Sequence, residues 1–248
     1  SARRAPRRPG LPAPDRAPDW WRRLVYRVSD VVVDRIVRPR LDPVRARLGL
    51  PPARRVFHDW IHRADAVVAL FPAWFAPPQP DWPDAVFAGF PLFDEGDTRA
   101  VDGGLDAWLA EGAPPLVLTH GSANLHSRAF FETAAAAARA LGHRALLVTP
   151  EPRAVAGLTG DRVRHAAYVP FSRVVPRAAA FVHHGGIGTV AQGLAAGAPQ
   201  LVVPMGFDQL DNAAHVVRLG CGAELPLRRW DARRAASALD RLLAADDV

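Results

Sequence analysis

Residues 181–189 read FVHHGGIGT, an apolar run closing on His183 and His184 and followed by Gly185, Gly186 and Gly188. Glycine weakens strands and helices, so it marks a sharp turn or a close approach to the backbone. A glycine turn between a strand and a helix leaves backbone N–H groups free to face an anion. The helix dipole adds about half a positive charge at the same place. A diphosphate is the ligand such a turn suits. His184 can donate a hydrogen bond to a phosphate oxygen, and Thr189 offers a hydroxyl and a helix cap. Adjacent strand residues point to opposite faces, so His183 and His184 are not expected to act as a pair, and one of them packs or bonds to backbone. No HExxH spacing occurs, and no metal site is expected.

The elements that must position this turn follow from periodicity. PLVLTHGS reads as a strand and a glycine turn, AFFETAAAAARAL as a helix, and RALLVTP as a strand. VRHAAYVP is a weaker strand, AAAFVHH a strand, and GTVAQGLAAG a helix. PQLVVPM, LDNAAHVVRLG, GAELPL and DARRAASALDRLLAADD continue as strand, helix, short strand and helix. This alternation predicts an α/β fold with a Rossmann-type parallel sheet. Continuous apolar strands fit burial on both faces. Ligands of such sheets bind at the carboxyl ends of the strands, where the histidines, the glycines and Asp208 fall.

The N-terminal part is different. Residues 1–18 are rich in Arg and Pro and are predicted to be a disordered tail. DWWRRLVYRVSDVVVDRIVRPRL has helical apolar spacing, with Asp19 as the expected N-cap and Pro39 as the expected end. ADAVVALFPAWF and AVFAGFPLF suit short strands. The polar, glycine-rich stretch from Asp94 to Gly112 is the expected domain boundary. Ser1 to Arg63 holds sixteen Arg against six Asp, while the whole chain is only +6, so the rest is net acidic. A basic segment of this kind attracts anionic surfaces or is simply solvated. No nucleic-acid motif accompanies it. One cysteine, Cys221, cannot form an internal disulfide. No secretory signal and no apolar run of membrane-spanning length are present, so a cytoplasmic location is expected, with the inner membrane face as a candidate peripheral site for residues 1–63.

Two motif readings compete for the turn. Gly186-Ile187-Gly188-Thr189-Val190-Ala191 matches the dinucleotide pattern GxGxxA, with Asp208 downstream. That reading implies an NAD-dependent oxidoreductase. Against it, Asp208 lies in a loop after PMGF rather than at a strand end, and the turn follows the fourth strand of its domain rather than the first.

The stretch from Tyr168 to Glu224, YVPFSRVVPRAAAFVHHGGIGTVAQGLAAGAPQLVVPMGFDQLDNAAHVVRLGCGAE, resembles the donor-binding signature of GT-B glycosyltransferases of the UDP-glycosyltransferase-like family. Looser similarity reaches back to about Trp20, and the likeness is to bacterial members acting on lipids, sterols or natural products. The resemblance implies that His184 contacts the donor diphosphate and that Gly185, Gly186, Gly188 and Thr189 shape the phosphate turn. Gln192 falls where many members have a ribose-binding glutamate. The change to an amide leaves a UDP-sugar and a dTDP-sugar both open as donor. Asp208 and Gln209 match the pair that holds sugar hydroxyls, with Asn212 at the matching asparagine; Asp208 can alternatively cap the next helix. Tyr168 and Val169 match the segment against which the base packs, and Gly121 and Ser122 match a Gly-Ser turn near the diphosphate.

The implied activity is inverting, metal-independent transfer of a hexose to a hydroxyl of a small hydrophobic or lipid acceptor, with no cofactor beyond the nucleotide-sugar donor. The general base is expected in an N-terminal domain that the chain shows only in part, so no catalytic residue is assigned. Residues 19–100 are read as the end of that acceptor domain and 113–248 as the nucleotide-sugar domain. The alternative is a catalytically silent nucleotide-sugar-binding or partner protein of the same fold.

Overall fold

The computed structural model describes residues 18–57, 59–80, 82–94, 100–121 and 128–245. The chain divides into two compact units, Ser1–Gly89 and Phe90–Val248. The expected disordered tail falls almost wholly outside the described residues.

The first unit holds helix α1 (Asp19–Arg47) and two short parallel strands, β1 (Val67–Ala69) and β2 (Ala85–Phe87). Two expectations about α1 are corrected. Pro18 takes the N-cap position, so Asp19 is the first helical residue, and the helix runs on through Pro39 and Pro43. Each proline removes one N–H donor and crowds the preceding turn. Carboxylates on α1 offset this by fastening the returning chain to it. Asp34 accepts from the N–H groups of Arg55 at 3.0 Å and Val56 at 2.9 Å. Asp42, beyond the first proline, accepts from Ala53 N–H at 3.0 Å and from Arg38 Nε at 2.9 Å. Along α1, Trp20, Leu24, Val28, Val31, Val32 and Ile36 are exposed. Among the described residues no helix is long and apolar enough to cross a membrane.

The second unit is a six-stranded parallel sheet with helices on both faces. In chain order it comprises α2 (Gly103–Ala110), β3 (Leu116–Thr119), α3 (Arg128–Ala140), β4 (Ala145–Val148), β5 (Val163–Ala166) and α4 (Phe171–Val174). These are followed by β6 (Ala180–His183), α5 (Ile187–Ala195), β7 (Gln200–Val202), α6 (Gln209–Arg218), β8 (Gly222–Glu224) and α7 (Ala232–Leu243). Every residue of β3, β4, β6 and β7 is buried, as their unbroken apolar runs require. One face packs Phe130, Phe131 and Ala134 of α3 with Leu239 and Leu242 of α7. The other packs Trp108 and Leu109 of α2 with Val174, Val175 and Phe181.

Helix α2 lies inside the stretch read from sequence as a polar boundary. Its two opening glycines hid it, because they carry no apolar signal. Asp102 starts it by accepting from Gly104 N–H at 3.0 Å and Leu105 N–H at 3.1 Å. The division between units falls earlier, after Gly89.

Strand order is β5-β4-β3-β6-β7-β8. The chain steps outward from β3 to β5, returns to lay β6 beside β3, and steps outward the other way. The order therefore reverses between β3 and β6, and a ligand crevice opens at the carboxyl ends of such a pair. Thr119 of β3 lies level with His183 of β6, so the chain segments that frame this crevice are 119–121 and 183–189.

Candidate functional site

The floor of the crevice is a chain of buried hydrogen bonds. His183, wholly buried at the end of β6, meets Gln200 Oε1 through Nε2 at 2.9 Å. Its Nδ1 accepts from Gly185 N–H at 3.1 Å. Those two bonds fix a neutral imidazole with the proton on Nε2. Burial pushes His183 down to about 3, against the opposing effect of the Gln200 hydrogen bond and with a further lowering by His184. Gly193 of α5 makes room for Gln200, since a Cβ there would stand 2.5 Å from Gln200 Cδ. Gln200 was not picked out from the sequence. The available signal was one amide within an otherwise apolar strand.

His184 follows β6 directly, and its imidazole lies against Gly121 and Gly186. A Cβ on Gly121 would sit 2.6 Å from His184 Cε1, and one on Gly186 would sit 2.6 Å from His184 Nε2. These two glycines are therefore glycine to admit the imidazole. Gly121 also has φ +79° and Gly185 φ +92°, the left-handed region that favours glycine. A Cβ on Gly185 would meet Val202 Cγ1 at 2.8 Å and the Gln209 carbonyl at 3.1 Å. Gly188 differs, because nothing lies within 4 Å of the Cβ it lacks. The Nδ1 of His184 is buried with no hydrogen-bond partner. Burial lowers the His184 pKa, and Asp208 acts in the opposite sense. His120, beside it, is pushed down to about 4 by burial and then by His184. His183 and His120 are neutral at pH 7, and burial favours the neutral form of His184.

Helix α5 begins at Ile187 with Gly186 at the N-cap, which makes no side-chain cap bond. Thr189 is thus the third helical residue and not the cap expected from sequence. The first N–H to bond back is that of Val190, to Gly186 O at 3.0 Å. The N–H groups of Ile187, Gly188 and Thr189 precede it and are the helix's free donors.

The side of the site on α6 is also pre-arranged. Asn212, buried, donates through Nδ2 to Gly185 O and to Asp208 Oδ2, each at 2.9 Å. Asp208 occupies the N-cap position of α6 without capping it; its carboxylate turns to Asn212. Gln209 Oε1 accepts from Met205 N–H at 2.9 Å and Gly206 N–H at 3.2 Å, which ties down the loop ahead of Asp208.

A strap at residues 90–94 meets the remaining candidates. Gln192, buried on α5, donates through Nε2 to Leu92 O at 3.4 Å. The Tyr168 hydroxyl donates to Asp94 O. Asp94 in turn accepts from Ser172 N–H at 2.6 Å and Ser172 Oγ at 2.9 Å. Val169 packs its side chain in the core, so only its backbone is available to a ligand. Ser122 lies outside the described residues. Neither the strap nor Ser172 was anticipated. Their bonds join residues more than seventy positions apart, which local patterning does not reveal. Among the described residues no group of three or more His, Cys, Asp or Glu side chains is placed to hold a metal.

Known proteins share the sequence pattern and the fold of this chain. Residues 147–247 match the family of erythromycin biosynthesis protein CIII-like C-terminal domains. An O-mycaminosyltylonolide 6-deoxyallosyltransferase from Streptomyces fradiae is 37% identical over 224 residues, which cover 84% of this chain and 49% of the relative. The crystal structure of the kitacinnamycin glycosyltransferase superposes with a TM-score of 0.68 at 24% identity over 92% of this chain and 60% of that one, a likeness of fold. The glycosyltransferase VinC, solved in complex with dTDP, gives a TM-score of 0.58 at 28% identity over 73% of this chain and 45% of its own. The chain spans about half the length of the curated relatives it matches.

Proposed function

Because the chain belongs to the GT-B glycosyltransferases of the erythromycin biosynthesis protein CIII-like type, as a C-terminal portion, we propose that the crevice between β3 and β6 holds the diphosphate of a nucleotide-activated sugar. The transfer we propose is of a hexose or deoxyhexose to a hydroxyl of a small hydrophobic natural product. The names of the relatives support this acceptor class over a lipid. A dTDP-linked donor is favoured over a UDP-linked one, in keeping with the dTDP complex of VinC. In this reading the second compact unit is the donor domain, and the first belongs to the acceptor side.

One observation carries the assignment. A glycine turn with three free helix N–H groups and a neutral imidazole stands at the point where strand order reverses. Charge builds on the diphosphate as the sugar leaves, and these fixed dipoles stabilise it without rearranging. His184 adds one hydrogen bond and can take up a proton as the negative charge arrives, because its pKa is held down by burial that the charge opposes. Asn212 donates to the Asp208 carboxylate, which in this reading accepts from sugar hydroxyls and holds the anomeric carbon toward the acceptor. The acceptor hydroxyl must lose its proton to a general base, which we place in the part of the relatives that this chain does not span.

The experiment is a donor panel with the chain as it stands. UDP, dTDP and their glucose conjugates are titrated by calorimetry in two buffers of different ionisation enthalpy. Saturable binding with net proton uptake is expected. Binding that is saturable but takes up no proton removes His184 from its assigned role, and no binding to any nucleotide overturns the assignment. Release of sugar onto a hydrophobic acceptor by this chain alone would place a base within it and overturn the location given above.

A further inference from the structure

Two non-glycine residues among those described have positive φ, Arg55 at +50° and Phe207 at +54°. The first is accounted for by its bonds. Arg55 N–H donates to Asp34, and its Nε reaches Asp30 at 3.4 Å. Phe207 has no such account. The residue is 93% exposed, the highest value among the large exposed hydrophobic residues described, so packing does not hold it there. The left-handed region is unfavourable for a bulky side chain.

The surrounding loop is not loose. Gln209 Oε1 accepts from Met205 and Gly206 N–H, Gln209 N–H donates to Gly206 O at 3.2 Å, and Asp208 is anchored to Asn212. Bonds on both sides of Phe207 thus hold a strained backbone that lifts an aromatic ring into solvent. Strain that the surroundings over-determine clusters at ligand sites. The next residue is Asp208, which Asn212 joins to Gly185 of the turn.

A ligand that suits a carboxylate and an uncovered ring on consecutive residues needs hydroxyls on its edge and C–H groups on its face. A pyranose has both. We propose that Phe207 is a platform for the C–H face of the donor sugar, next to the carboxylate that receives its hydroxyls, and that it sets how strongly the site favours sugar nucleotide over free nucleotide. This rests on the donor-site reading given above.

The test compares free nucleotide with its sugar conjugate in wild type, Phe207→Gly and Phe207→Tyr, using dTDP, dTDP-glucose, UDP and UDP-glucose. In Phe207→Gly the sugar conjugate is expected to bind about three- to tenfold more weakly, the size of one aromatic contact. Free nucleotide should change by less than about twofold on the same scale. Phe207→Tyr keeps the ring and should keep the wild-type ratio. Glycine relieves the left-handed strain, so thermal stability should hold or rise, which separates loss of a contact from loss of fold. An unchanged ratio in Phe207→Gly, or an equal fall for nucleotide and conjugate, overturns the platform and leaves the donor site standing. Failure of the wild type to bind any nucleotide overturns both.

Discussion

At the base of the glycine turn, His183, Gln200, Gly185 and Asn212 are buried and joined by hydrogen bonds of 2.9–3.1 Å. Above it, Gly188 borders open space, His184 Nδ1 is unbonded, and Phe207 stands in solvent at positive φ. Gly185 and Gly188 show the contrast within one turn. The first is glycine because Val202 and the Gln209 carbonyl leave no room and because φ is +92°; the fold itself accounts for it. The second meets no neighbour, and glycine at an open helical position is less favourable than alanine by about 1 kcal/mol. Folding accounts for the floor, and the proposed donor site is what would account for the rim. Substitutions below should therefore register in stability, and those above in binding.

Acid should expose the floor most strongly. The folded values of His183 and His120 are depressed to about 3 and about 4, while unfolded histidine titrates near 6.5. The unfolded chain therefore binds more protons between those values, so stability is full above about pH 6.5 and is lost as pH falls toward the folded pKa values. The slope is up to about 1.4 kcal/mol per pH unit for each histidine. Urea midpoints measured from pH 7 to pH 5 should fall steeply, and a midpoint that stays flat would mean that His183 is not buried neutral. Gly185→Ala should come next, at about 2–4 kcal/mol by denaturant titration, from backbone strain and the contact with Val202 together. Gln200→Leu should cost about 1–3 kcal/mol, since it strands the His183 Nε2–H in the core. It should also loosen the turn through the His183–Gly185 bond. Gly188→Ala should be neutral or stabilising by up to about 1 kcal/mol. A loss above that range would show Gly188 to be a packing glycine like its neighbours and would erase the contrast.

The strand and helix pattern of the second unit is readable in the chain because the strands are buried on both faces and the helices carry one apolar stripe. The short elements were harder. α2 opens on Gly103 and Gly104, and its identity depends on a capping carboxylate and on Trp108 reaching the sheet. α1 passes through Pro39 because Asp34 and Asp42 grip residues 53–56, a contact between segments that no window on the helix contains. Within the site, type and spacing singled out His184 and the glycines, and they also led to the expectation that one histidine packs or bonds to backbone, a part that His183 takes. The reason for Gly121 and Gly186 was not legible, since it lies in the volume of the His184 imidazole, which reaches Gly121 from a segment distant in sequence and Gly186 from two residues earlier. Nor was Gln200 visible as a partner of His183, because its role exists only once β6 and β7 are in register.

The central claim is that the open space beside Gly188 receives a diphosphate. Titration of dTDP into the wild-type chain and into Gly188→Ala tests it most directly. Saturable one-to-one binding by the wild type is expected, weakened in the alanine variant by about tenfold or more, which is about 1.4 kcal/mol, while its thermal midpoint holds or rises. Equal affinity in the two proteins, or no saturable heat in either, would contradict it.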